Sequence, residues 1–347
     1  MAKNNQSSLC PRAGIFVFRL LVIILIIFYT NQDTSSQFYL TGQAPASVKW
    51  MQINTGNHQI IFPDTFQEQA LRIAGILNEA WELTGHSLNH QPGKIPVVIH
   101  NQSARSNGMV VWAPKRMELY TTPPQHARGG DWLTQLAVHE QRHVVQVDKL
   151  NQGITRVLYF LFGEQSVGLA AGRLPLWFLE GDAVITETAL TLSGRGRTPS
   201  FDMPLRALLM SRKYIYDYDK FLHGSYKDYV PDHYQYGYNM VSALRNEYGS
   251  GIWDDALNYV ARRPYYFSPF SGSLRKQTGD TPGNLHKKVL TDIRNEWDSL
   301  SQVQQHGYYT VNDQQYNYYS ILNGTRPYQA GNGPPRQCSA NIRSKVL

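Results

Sequence analysis

An α+β domain is predicted, with a mixed sheet near its N-terminal end followed by a mainly helical part, and three observations carry it. Short apolar or β-branched runs, each closed by proline or a turn-forming cluster, fall between Asn57 and Pro124. From Asp131 to Leu300 the apolar residues recur at helical spacing instead. Strand signals that precede helix signals, with no internal repeat in the range of roughly 20 to 50 residues, fit neither a solenoid nor an alternating α/β fold.

The elements follow in order. "NHQIIFP", Asn57 to Pro63, is a strand ended by proline, and from Thr65 to Leu83 the positions Phe66, Ala70, Ile73, Ala74, Ile76, Leu77 and Ala80 mark an amphipathic helix. "KIPVVIHN" reads as a buried strand, and "MVVWAP" and "RMELYTTPP" as two more. Asp131 suits the N-cap of a helix that runs to Leu150, with Gly153 just past its end. Further helices are expected over Thr155 to Ala171, Pro175 to Leu192, Tyr234 to Tyr248, Ile252 to Ala261 and Leu285 to Leu300. Residues 304–347 are rich in Gln, Asn, Tyr, Gly and Pro, show neither period, and read as a polar tail or the start of a further domain. The organisation expected is therefore 1–36 as an N-terminal address, 37–303 as the folded domain (a sheet-bearing part 37–152 and a helical part 153–303), and 304–347 as the tail.

With 347 residues, 42% hydrophobic and 12% aromatic, the chain can fill a sizeable core. The net charge of +7 comes from dispersed basic residues, with modest clusters at Arg195 with Arg197 and at Lys287 with Lys288. No basic block or nucleic-acid signature accompanies it, so no nucleic-acid partner is expected; the charge serves solubility or contact with an acidic envelope surface. Two cysteines, Cys10 and Cys338, supply neither a thiolate cluster nor a disulfide framework. Lys3, Arg12 and Arg19 precede or enter the apolar stretch 15–29, which is short against the roughly 20 residues a membrane span needs. The segment fits a signal peptide cut ahead of Gln37 or an uncleaved anchor; either points to export, and the anchor to membrane association through residues 15–29.

The chemistry sits in "LAVHEQRHVVQ". Residues four apart lie on one face of a helix, so His139 and His143 can aim two imidazoles at one point, as a zinc ion requires. Glu140, about 100° round the helix from His139, is offset from a ligand position but placed to take a proton from water. Leu133, Leu136, Ala137, Val138, Val144, Val145 and Val147 surround these groups with apolar side chains. Two readings fit this segment: a metal-binding helix, or a core helix whose histidines are satisfied by hydrogen bonds.

"LPLWFLEGDAVITETAL" supplies the third donor. Glu180 interrupts an apolar helical run, which suits either a metal ligand or a carboxylate placed on a helix dipole. His-His-Glu with one position left open is the donor set of a catalytic zinc site, at one ion per chain. Glu187, seven residues on and on the same face, can orient a ligand histidine or be an exposed helix glutamate; Asp182 is open between the same two roles.

"VHEQRHVVQ", then "PLWFLEGDAV", then "YQYGYNMVSALRNEYG" together resemble the gluzincin clan of metallopeptidases, and within it the bacterial exported branch in which a peptidase-like domain precedes a β-propeller. The likeness covers roughly residues 38–297. It implies a zincin-like fold, His139, His143 and Glu180 as zinc ligands, Glu140 as general base, and a peptide or protein substrate. It also implies an oxyanion donor from "DHYQYGYNMV", where Tyr234 is the first candidate and Tyr236 the second, and a cleft strand for the substrate backbone, for which Arg116 to Thr122 is the candidate. Two features depart from the pattern. His143 and Glu180 are separated by 36 residues, more than is usual there, and the intervening "VLYFLFGEQSVGLAAG" is apolar enough to pack on the zinc helix, to cover the cleft or to touch a membrane, the first being the reading adopted. No propeller sequence follows. The alternative function is a catalytically inactive zinc-binding domain of this fold, acting as a binding or scaffold module of the cell envelope.

Overall fold

The computed structural model describes residues 44–124, 131–212 and 214–303. Strands β1 (Trp50–Asn54), β2 (His58–Pro63), β3 (Ile95–His100), β4 (Ser106–Val111) and β5 (Arg116–Thr121) make one sheet in the order β1-β2-β3-β5-β4. The inner three run parallel and the two edge strands antiparallel to their neighbours, so the sheet is mixed. On β3 the alternating Ile95, Val97 and Ile99 are fully buried, while the mostly exposed β1 is held by its backbone ladder to β2 and carries no apolar period that would announce it.

One expectation is corrected here. The strand Arg116–Thr121 is interior, paired to β3 on one side and β4 on the other, and it is buried from Met117 to Thr121. The hairpin that joins β4 to β5 lays β4 outside it, so β4 holds the free edge.

Eleven α-helices are described: α1 (Gln67–His86), α2 (Trp132–Asp148), α3 (Gly153–Phe162), α4 (Gln165–Ala171), α5 (Leu176–Leu190), α6 (Pro199–Ser211), α7 (Tyr218–His223), α8 (His233–Tyr248), α9 (Ile252–Arg262), α10 (Pro269–Thr278) and α11 (Pro282–Val303). Asp131 caps α2 as expected, accepting from the Leu133 amide at 3.2 Å. The single helix expected over Thr155 to Ala171 is two, because Gly163 takes φ +70°, which ends α3. Helices α6, α7 and α10 were not expected. Pro204 inside α6 and the short length of α7 mask their periods.

Two apolar cores result. Ile60, Val97 and Leu119 of the sheet pack with Ile73 and Leu77 of α1 and with Ala137 and Val144 of α2. The second core gathers Trp177, Phe178, Tyr236, Trp253 and Phe270 from the helical part, and α2 contributes Val145 to it. Helices α5 and α8 cross so closely at Gly181 and Gly237 that a Cβ on either would strike the backbone of the other helix. Residues 44–298, where described, belong to one compact unit, which contains both cores. Among the described residues no helix is long and apolar enough to cross a membrane. The apolar stretch 15–29, Cys10, Cys338 and residues 304–347 lie outside the described residues.

Candidate metal centre and cleft

Helix α2 is buried on nearly every side, so each polar group on it needs a partner. Gln135 Nε2 donates to Glu187 Oε1 at 2.9 Å. Arg142, with a side chain 1% exposed, grips Asp182 with two bonds of 2.7 and 2.9 Å and also reaches the Thr84 carbonyl. Gln146 Nε2 donates to Asp182 Oδ2 at 2.7 Å and to the Leu179 carbonyl at 3.0 Å, which turns its Oε1 toward His143.

These partners decide the imidazole tautomers. His139 Nδ1 lies 2.9 Å from Glu187 Oε2, and Glu187 is ionised: burial works against its charge, but His139 and Arg195 outweigh burial and bring its pKa down to about 2. A carboxylate only accepts, so the His139 proton is on Nδ1. His143 Nδ1 lies 2.8 Å from Gln146 Oε1, likewise an acceptor. Both Nε2 atoms therefore present lone pairs, and they face each other at 3.1 Å. Glu180 Oε2 completes the triangle, 3.1 Å from His139 Nε2 and 3.3 Å from His143 Nε2.

Three acceptors in mutual contact call for positive charge at their centre. Burial disfavours a charged His143, yet Glu180 and Glu140 raise its pKa to about 9, and the two histidines depress that of Glu180 against the same burial penalty. A single proton can bridge only one pair of these atoms, whereas a divalent cation satisfies all three. The separations suit this, since donors about 2.0–2.1 Å from a tetrahedral ion stand about 3.3 Å apart. The residues thus fit a metal, and His139, His143 and Glu180 would hold it.

Glu140 stands beside this triangle and is almost wholly buried. Its Oε2 has no hydrogen-bond partner among the described residues. Burial raises its pKa, opposed in part by the two histidines. Gly108 of β4 lies against it so tightly that a Cβ there would strike the carboxylate. The cleft in front, about 1280 Å³, is walled by β4, α2, the start of α5 and Tyr234.

The other expected residues divide clearly. Glu187 sits behind His139 as a hydrogen-bond partner, and Asp182 sits one step further back, behind Gln146. Tyr234 faces the cleft with its ring centroid 6.1 Å from that of His139, and burial, with Glu180, pushes its hydroxyl pKa up. Tyr236 is not brought to the site: it is fully buried in the helical core, where its hydroxyl donates to His286 Nδ1 at 2.8 Å. Two helical steps, about 200°, separate the two tyrosines, so only one can face the cleft.

Sequence reasoning missed Arg195. It forms a two-pronged pair with Glu187 at 2.7 and 2.9 Å and lies over the Tyr234 ring at 4.7 Å. Its Nη2 is 2.8 Å from His139 Nδ1 and 3.5 Å from Nε2; a donor along the Nδ1 lone pair would be much farther from Nε2, so the guanidinium rests on the ring face. Gln146, Gln135 and Gly108 were missed as well. Only Gln146 carried a signal, seven residues from His139 on the same helical face.

Fold and site together define a class: an α+β domain whose cleft brings a His-His-Glu set together in a form suited to a divalent cation. No protein-family model matches the chain, and no curated protein matches it. Among solved structures it is similar to the crystal structure of an aminopeptidase N family protein from Idiomarina loihiensis, at 13% identity and a TM-score of 0.33, over 76% of this chain and 45% of that one. The chain thus spans less than half the length of that neighbour.

Proposed function

We propose that the domain is a zinc-dependent hydrolase of peptide bonds, with His139, His143 and Glu180 as the ligands and Glu140 as general base. The observation that carries the reading is the triangle of lone pairs at 3.1 to 3.3 Å beside a carboxylate oxygen that has no hydrogen-bond partner among the described residues. Zinc held there would act as a Lewis acid and bring the pKa of a water toward about 7.

The chain's own groups support the remaining roles. Glu140 Oε2 is free to take a proton from the attacking water and return it to the leaving amine, and burial sets its pKa above the ordinary carboxylate range, which suits a base working near neutrality. Tyr234, which lines the cleft and whose hydroxyl keeps its proton, would donate to the carbonyl oxygen as charge develops there. The free edge of β4 lines the cleft and can pair with an extended substrate backbone. Glu187 and Arg195 fix the orientation of His139. A peptide or protein substrate met in the cell envelope after export accords with the N-terminal segment.

The test is zinc content beside hydrolysis of a fluorogenic peptide library. Wild type is expected to hold about one zinc, Glu180→Ala to lose it, and Glu140→Gln to keep it while hydrolysis falls about a thousandfold or more. Zinc retained by a wild-type chain that cuts no peptide would move the domain to the alternative, an inactive binding module.

A further inference from the structure

Helix α3 is built inside out. Its inner face holds Thr155, whose hydroxyl donates to the Ala261 carbonyl at 2.9 Å, and Tyr159, packed on the helical core. Its outer face, where a surface helix ordinarily carries charge, is Ile154, Val157, Phe160 and Leu161. Phe162 at the end of α3, Leu169 of α4 and Leu176 of α5 are exposed as well. The adopted expectation that this apolar insert packs on the zinc helix is met by its second half, where α4 touches α2 and Val167 and Ala170 join the core that holds Val145.

We infer that this patch inserts into the headgroup and upper acyl region of an anionic phospholipid bilayer, seating the domain on the membrane surface. Two observations favour lipid over a protein partner. Phe160, Leu161 and Phe162 are consecutive and each about two-thirds or more exposed, at 74%, 69% and 66%. Three consecutive residues sweep about 200° around a helix, so the end of α3 projects, and a fluid phase covers it where one flat protein face would not. The charges also match. Between Gly153 and Leu176 the ionisable acids and bases are Arg156, Glu164 and Arg173, both arginines are exposed, and Glu164 is turned inward to accept from the Lys115 amide at 2.8 Å. At ten residues α3 is about 15 Å long, half of the roughly 30 Å hydrocarbon core, so it lies in the interface without crossing. Leu169 and Leu176 also line the cleft, so docking brings the cleft mouth to the membrane. The inference does not rest on the zinc reading.

A local probe in the full chain tests it. With Cys10→Ser and Cys338→Ser as background, Leu161→Cys carries an environment-sensitive dye, and Glu79→Cys on the outer face of α1 carries the same dye as control. On vesicles of phosphatidylcholine with about one-third phosphatidylglycerol, emission at position 161 is expected to shift to the blue and be quenched by lipids that bear a shallow nitroxide, with no change at position 79. Phe160→Ser with Phe162→Ser should weaken that response about a hundredfold, roughly tenfold for each ring. Both rings are exposed, so the melting temperature should hold. A dye at position 161 that stays aqueous while the chain sediments with vesicles would overturn the inference, because another segment then does the binding. So would a concentration-dependent dimer, free of lipid, that Phe160→Ser dissolves: the patch would then belong to a second copy.

Discussion

At the residue scale, the site depends on side chains that touch no substrate. Glu187 fixes the His139 tautomer from a position with no exposure at all, so Glu187→Ala should cut zinc affinity about 10- to 100-fold without removing a ligand, measured by competition with a chromogenic chelator. Gly108→Val tests the opposite wall: its side chain must displace Glu140, so hydrolysis should fall sharply while zinc content stays at the wild-type level. The pair Arg142–Asp182 is wholly buried, and Asp182→Ala would strand the guanidinium. A stability loss of about 3–5 kcal/mol in urea unfolding is expected, far more than an exposed ion pair would cost.

At the element scale, the crossing of α5 over α8 sets where Glu180 meets the α2 histidines. Gly237→Val forces the two backbones apart at Gly181 and Trp177, so a loss of about 1–3 kcal/mol is expected together with weaker zinc binding, because the bearer of Glu180 moves. This scale also shows what could be read in advance. Asp131 as a cap, the i and i+4 histidines, and Glu180 in its apolar run follow from local rules, and the structure brings the three donors together. Position in the sheet does not follow from local rules. "RMELYT" and "SNGMVV" are both short strands, and which of them holds the edge is decided by long-range pairing that no local period encodes. Arg195 was equally silent, since its role comes from a short 3₁₀ turn that returns the chain to Glu187, and its letters resemble any surface basic pair.

At the scale of the whole molecule, buried titratable groups outside the cleft set the response to acid. Burial lowers the pKa of His58 and His286 below 6.5, with their hydrogen bonds to Gln141 and to the Tyr216 carbonyl only partly opposing it. Below pH 6.5 the unfolded chain binds protons that the folded chain refuses, so stability contributed above that pH is lost as the pH falls. Glu118 adds a second stage. Burial works against its charge, but His100 and Arg116 outweigh burial and hold it at about 2, against 4.5 when unfolded, so its contribution stands above pH 4.5 and is lost between there and pH 2. These groups outside the cleft are therefore expected to lower the melting temperature in two stages as the pH falls below about 7. His58→Gln with His286→Gln should flatten the first stage only.

Helix α2 lends Ala137 and Val144 to one core and Val145 to the other, so it works as a party wall. Neither half can melt while the other keeps its shape, because whichever goes first strips a face from the shared partition. Heat should accordingly dissolve sheet and helices in a single cooperative step, with near- and far-ultraviolet dichroism tracing one curve.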